Sequence, residues 1–529
     1  MYRHISISWA LLLALLSFAV PSSSTAQSLL TRAERTDYQE TSSYDDVMSF
    51  LSALEDSPDL HVRTFGYSYE GRALPLVVVG RGLADGSAAE VLSRGGLRVF
   101  VFANIHAGEV EGKEAAQMLL RSLAAGDRDH WLDSMVLLVA PLYNADGNEA
   151  VSVTNRFRQQ GPTGGVGTRA NAQGLDLNRD HMKLASPESR AVAGVLSDYD
   201  PQVVVDLHTT NGTHHAYHLT YSPPLHPNTH GSITSLLREG LFPEVTERIH
   251  RDRGWHFYYY GNAYAPPGME RGWYTFDHRP RFGTNYVGLR NRFAILSEAY
   301  SYVDFRGRVE ATLAFVEAIL DYSHANAGPM AEAVRQADAE DLVGQRLGVR
   351  ATFQRDGISE ILMGAVEERL DPVSGHRYMA RLDVVRPERM PEYGSFRVTE
   401  WERVPEEYYV PEELAEVIDL LRFHGVPVRE LGQDREVAVQ RFAIDSTRVA
   451  EREFQGRRER ELFGAWEDAR VTLWSGTVAV PVRGEPLARL IFYLLEPRSD
   501  DGVVNWNVLD AQLRDGASHY PVLRRMPGG

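Results

Sequence analysis

Between residues 44 and 324 the chain alternates two kinds of apolar pattern. "LRVFVFANI" (97–105) is an almost unbroken apolar run, which predicts a strand buried on both faces, and "GKEAAQMLLRSLAAG" after it repeats at helical spacing. "SMVLLVAPLYN" (134–144) predicts a second buried strand. "SPESRAVAGVLSDY" predicts a helix capped by Ser186 with Pro187 in its first turn, and it leads into a strand in "PQVVVDLHTT". A further strand in "NRFAILSEAYS" (291–301) and an amphipathic helix in "RGRVEATLAFVEAILDYSHA" close the series. Fully apolar strands separated by helices require a mixed or mostly parallel sheet covered on both faces.

Three loops interrupt this pattern, at 145–175, 209–230 and 257–290. They are long, polar and rich in glycine or aromatics, and loops of that length inside a compact domain are expected to build a site. Beyond about residue 328 the pattern changes. "RLGVRATF", "GTVAVPV" and "RLIFYLL" read as short strand-like runs, and "PEELAEVIDLLRFHG" reads as a helix. The expected organisation is a first folded unit over 27–330 and a second, α+β or β-rich, over 331–529.

Composition adjusts this picture in three ways. A chain of 529 residues with 43% hydrophobic and 24% charged positions has material for two or three soluble domains. Its net charge of -17 and the lack of a Lys and Arg cluster outside the short "GRRER" run argue against a nucleic-acid partner, and that run is interleaved with glutamate and reads as a solvated face. Residues 1–26 combine a basic start, a short apolar core and small residues at Ser24 and Ala26, the pattern of a cleavable secretory signal. A secreted or periplasmic location follows as an expectation. No later segment is apolar enough to span a membrane. With no cysteine in the chain, lipoprotein anchoring is excluded and any metal site has to use His, Asp and Glu.

The candidate chemistry lies at the ends of the predicted strands. His106 and Glu109 follow the first, His208 ends "VVVDLH" and Glu298 ends "FAILSE". In open α/β sheets ligands bind beyond the carboxyl ends of the strands, so these four side chains should converge. Two histidines and a glutamate are a ligand set for a catalytic zinc ion, with one position left for water. Glu298 would then serve as the general base. Asp176 could orient an imidazole, and Arg156, Arg158 and Arg179 could bind a carboxylate or an oxyanion. Glu111 and Glu114 belong to the first helical turns.

In order and approximate spacing, "HAGE", "PLYNADG", "NRFR", "GLDLNR", "DLH" and "ILSEAYS" resemble the M14 zinc carboxypeptidases of the carboxypeptidase A type over residues 40–330. That resemblance implies an α/β fold with a mixed, mostly parallel eight-stranded sheet flanked by helices, one Zn2+ per chain and a peptide or protein substrate with a free C-terminus. His106, Glu109 and His208 match the zinc ligands and Glu298 the general base. Asn178 and Arg179 match the pair that grips the terminal carboxylate. Arg158 matches the oxyanion arginine, with Arg156 as a rival, and Asp176 matches the carboxylate behind the zinc. Tyr274 is the expected substrate-capping tyrosine on spacing, ahead of Tyr264 and Tyr286. The chain departs from the pattern at Gly108, where many animal members have arginine. His214, His215 and His218 are expected to line the pocket or to be hydrogen-bonded in their loop. "PLARLIFYLLEPRSDDGVVNWN" also resembles bacterial members and implies an accessory C-terminal domain. Two other readings share these residues: an amidohydrolase acting on acylated amino acids or cell-wall peptides, and a non-catalytic peptide-binding module.

Overall fold

The computed structural model describes residues 29–210, 212–372, 374–514 and 516–528. The expected signal segment at 1–26 lies outside the described residues. No helix among those described is long and apolar enough to cross a membrane.

The first ten strands in chain order are β1 (Leu60–Tyr67), β2 (Ala73–Val79), β3 (Leu97–Ala103), β4 (Met135–Ala140) and β5 (Val203–Thr209), then β6 (Leu219–Ser222), β7 (Phe257–Tyr259), β8 (Asn262–Tyr264), β9 (Gly272–Tyr274) and β10 (Phe293–Ala299). Eight of them form one mixed sheet in the order β1-β2-β4-β3-β5-β10-β6-β7. Its centre, β4-β3-β5-β10, is parallel throughout. The outer β1-β2-β4 pairs and the β10-β6 pair are antiparallel.

Every residue of β3, β4 and β5 is buried, because helices or C-terminal segments cover both faces. Alternate residues serve different cores. Val99 and Val101 pack with helices α1 (Glu111–Ala124), α3 (Phe242–Arg253), α5 (Phe305–Ala325) and α6 (Ala327–Ala339). Phe100 and Phe102 point to the other side, where α2 (Pro187–Asp198) and α4 (Gly283–Leu289) lie. Burying each such side chain is worth about 1.5–3 kcal/mol. Ser186 caps α2 as the sequence requires, its side chain accepting the Ser189 N–H at 3.1 Å, and Pro187 stands in the first turn.

The second core does not end at residue 330. Tyr408, Val410, Leu421, the whole 490–495 run, Val503, Trp506 and Tyr520 extend it without a break. The C-terminal strands are β11 (Arg346–Gln354), β12 (Gly357–Met363), β13 (Val366–Leu370), β14 (Arg377–Arg381), β15 (Arg386–Tyr393) and β16 (Ser395–Arg403), followed by β17 (Glu407–Val410), β18 (Arg429–Glu430), β19 (Arg435–Val449), β20 (Arg460–Leu473), β21 (Val478–Pro481) and β22 (Leu523–Arg525). β15 pairs with β9 in a sheet of order β12-β15-β9-β8, so the 257–290 loop and the C-terminal region share backbone hydrogen bonds. Helix α7 (Ala415–Phe423) forms within the "PEELAEVIDLLRFHG" segment.

One expectation needs correction. "RLIFYLL" is helix α8 (Ala488–Leu495), not a strand, and all eight of its residues are buried. A short run that is apolar all round carries no periodicity to separate helix from strand, and here the surrounding core selects the helix.

Candidate active site

β3 ends at Asn104, whose positive φ of 68° breaks the strand. Asn is one of the few residues that adopt this conformation readily. A turn follows, closed by the Glu109 N–H donating to the His106 carbonyl at 2.9 Å, and it swings both side chains to the same side. Gly108 is required at its tip. A Cβ there would meet the Gly167 carbonyl at 2.9 Å and the Arg156 stem at 3.4 Å. An arginine at this position would have no room, because Arg156 fills the space.

His208 arrives from the end of β5 and Glu298 from the end of β10, where the two are register partners. His106, Glu109 and His208 are all buried, and one ligand atom from each lies within 4.8 Å of the others. Each imidazole turns Nδ1 to Glu109: His106 to Oε1 at 2.9 Å and His208 to Oε2 at 2.8 Å. Behind them stand two more carboxylates. His106 Nε2 is 3.0 Å from Asp176 Oδ1, and His208 Nε2 is 2.8 Å from Asp206 Oδ2. Asp206 had no place in the sequence reading, although its position two residues before His208 on one strand puts both on the same face.

The electrostatics show what this cluster lacks. Burial opposes a charge on His208, but the Asp206 and Glu109 carboxylates outweigh it and hold the imidazole well above its usual range. Burial likewise opposes the Asp176 carboxylate, yet His106 and Arg169 keep it well below the usual range. A buried nest of carboxylates that draws a proton onto an imidazole is short of positive charge at its centre, and a divalent cation on the three converging donors would supply it. Burial and the neighbouring Glu109 push Glu298 up to about 8, against the pull of His208.

A cavity of about 380 Å³ opens over these groups, lined by His106, Glu109, Glu298 and the candidate anchors Asn178 and Arg179. Phe276, Phe282, Thr284 and Leu296 give it an apolar side. Asp176 shapes the anchor turn, its Oδ1 accepting the Asn178 N–H at 2.9 Å. Arg179 lies over the Phe282 ring, 3.9 Å from its centroid.

Two expected residues are not brought here. Arg158 is exposed, stacks on Phe157 with its guanidinium 5.8 Å from the ring centroid, and does not line the cavity. Arg156, which sits in a turn with a φ of 48°, points inward and pairs with Glu109 instead. Arg169, missed in the sequence, borders the cavity with its side chain 43% exposed, holds Asp176 Oδ2 at 2.9 Å and stands 3.8 Å from Glu109. The signal was its place seven residues before Asp176. Tyr274 is also displaced. It belongs to β9, its ring stacks on Tyr393 at 4.2 Å, and its hydroxyl donates to the Glu270 carbonyl at 2.7 Å. Pairing of β9 with β15 draws it away, while Tyr260 and Phe276 reach the cavity. His214, His215 and His218 pack against Tyr302, Tyr300 and Trp255. Of the early glutamates, Glu111 faces Arg308 and Glu114 accepts from Ser42 and Thr41, both within α1.

Residues 47–240, which carry all three converging donors and the Asn178-Arg179 pair, match the family model described as zinc carboxypeptidase. That segment is similar to the zinc carboxypeptidase family. Carboxypeptidase 2 of Trichophyton rubrum is 31% identical over 145 residues, which cover 27% of this chain and 23% of that protein. The probable carboxypeptidase 2 of Arthroderma benhamiae is 31% identical over the same length, covering 24% of its chain. The match thus spans about a quarter of these curated relatives. Among solved structures, a metallo-carboxypeptidase from Burkholderia cenocepacia aligns over 55% of this chain and 71% of its own, at 19% identity and a TM-score of 0.41. The carboxypeptidase A from Helicoverpa armigera aligns over 60% and 80%, at 16% and 0.42.

Proposed function

We propose that this protein is an exported zinc metallocarboxypeptidase that hydrolyses the C-terminal peptide bond of a peptide or protein. The observation that carries the reading is one cavity lined by His106, Glu109, Glu298 and the Asn178-Arg179 pair, with His208 converging on the same buried donor set. Zinc held by the three donors would supply a Lewis acid that polarises the scissile carbonyl and eases deprotonation of the attacking water.

The remaining steps fall to the chain's own side chains. Arg179 and Asn178 hold the substrate's terminal carboxylate, which fixes the last peptide bond over the donor set. Glu298 takes a proton from the attacking water and passes it to the nitrogen of the leaving residue, so the C–N bond breaks to give a free amine and a new carboxylate. Its upward-shifted affinity for the proton, toward about 8, suits the second of these tasks. Arg169, at the cavity mouth, donates to the oxygen that gains negative charge. Asp176 holds His106 in one orientation through Nε2 and so keeps Nδ1 turned toward Glu109, where a metal would be held.

The test is a set of peptides matched in sequence with free or amidated C-termini. The free forms should lose their last residue while the amides persist. Equal cleavage of both would leave an amidase or endopeptidase instead. Zinc analysis of His208→Ala checks the donor set, since full retention of one zinc per chain would remove His208 from it. Export rests on the 1–26 pattern, and N-terminal sequencing of protein from the medium or periplasm should find a start near Gln27.

A further inference from the structure

The C-terminal region reaches the anchor side of the cavity through three consecutive residues. Arg281 and Phe282 lead into α4 and Gly283 is its first residue, and each makes a different contact. Arg281 turns away from the cavity into the C-terminal region and is 2% exposed. Its backbone N–H donates to Asp501 Oδ2 at 2.5 Å, its Nε donates to Asp501 Oδ1 at 2.8 Å, and its Nη2 donates to Asn505 at 3.1 Å. The guanidinium also stands over the Trp506 ring at 4.4 Å, and Trp506 Nε1 donates to the same Asp501 at 2.7 Å. Glu459, from the segment joining β19 and β20, lies 2.7 Å from Arg281 Nη1.

The next two residues touch the anchors themselves. Phe282 presents its ring face to the Arg179 guanidinium, and the Gly283 N–H donates to Asn178 Oδ1 at 2.9 Å. Gly283 packs close to His181, and a Cβ there would stand 2.8 Å from His181 Nε2. From the same C-terminal segment as Glu459, Gln455 accepts the Asp176 N–H at 2.8 Å, which holds the turn that carries Asn178. Asp501 is fully buried, and with three hydrogen bonds and an arginine beside it, it is a rigid attachment point.

We infer that the C-terminal region sets the geometry of the substrate-carboxylate anchor, with Asp501 as the positioning residue that acts through Arg281 on Phe282-Arg179 and Gly283-Asn178. The inference rests on the carboxypeptidase reading. It assigns the region after residue 330 a part in recognition of the free C-terminus. Displacement of a binding group by about 1 Å can cost on the order of 100-fold, so the effect of loosening this attachment is measurable.

The experiment uses the full-length, zinc-loaded chain and two probes, N-acetylphenylalanine and its amide, measured by calorimetry alongside peptidase kinetics. Wild-type protein should bind the acid more tightly than the amide. Asp501→Asn should weaken the acid about 10- to 100-fold and raise KM for a free-C-terminus peptide in parallel, while amide binding, kcat and zinc content stay within about twofold. Trp506→Phe, which removes the donor to Asp501 and leaves a smaller ring under Arg281, should show the same selective loss to a smaller degree. It serves as the folded variant if Asp501→Asn does not fold. A folded, zinc-replete variant that binds the acid as wild type does overturns the inference. So does loss of zinc or of kcat together with acid binding, which would mark a purely structural role. If wild-type protein itself fails to distinguish acid from amide, the carboxypeptidase reading falls.

Discussion

Acid should loosen the joint between the catalytic core and the C-terminal region, and His424 shows by how much. This residue is fully buried. Its Nε2–H donates to the Met182 carbonyl at 3.1 Å, and its Nδ1 accepts the Tyr286 hydroxyl at 2.8 Å, so the neutral ring is satisfied at both nitrogens. Burial, Arg290 and His181 drive the imidazole from the ordinary 6.5 down to about 3, against the favourable Met182 contact. In the unfolded chain it titrates near 6.5. Between these values the unfolded state binds a proton that the folded state refuses, so stability is intact above about 6.5, falls as the pH drops, and is fully lost below about 3. At pH 5 the single group costs 1.5 units at about 1.36 kcal/mol each, roughly 2 kcal/mol. His424→Gln removes the titration and keeps a donor and an acceptor. Urea unfolding followed by tryptophan fluorescence at pH 7 and pH 5 should show wild-type protein losing about 2 kcal/mol more than the variant between the two conditions. The variant's own stability at pH 7 does not enter the comparison. Equal losses in both proteins would refute the reasoning.

Three further outcomes test the site. Glu298→Gln should lower kcat by about 100- to 10,000-fold while zinc stoichiometry by metal analysis stays at one. Arg169→Lys should lower kcat by about 100- to 1,000-fold, whereas Arg158→Lys should leave steady-state kinetics within about twofold; the reverse result would return the oxyanion role to Arg158. Asp206→Asn should weaken zinc binding by about 10- to 100-fold in a chelator competition, and an unchanged affinity would show that the 2.8 Å approach to His208 does not orient the ring.

The sequence by itself determined the central sheet and the groups at its strand ends. Runs such as "VFVFA" (99–103) and "FAIL" (293–296) are apolar at every position, and only a strand covered on both faces accepts that pattern, so β3, β5 and β10 and the groups that end them were legible. His106, Glu109, His208 and Glu298 converge because side chains at the carboxyl ends of neighbouring parallel strands share one edge. Tertiary structure alone decided which loop side chains join them. The 145–175 and 257–290 loops have no periodicity, and the direction of each side chain depends on what packs behind it. Arg156 rather than Arg158 faces inward because the space beside Gly108 admits its stem. Tyr274 leaves the cavity because β9 finds its partner in β15, more than 100 residues later in the chain. The burial of α8 and the attachment of Arg281 to Asp501 are likewise products of long-range packing, which no local pattern encodes.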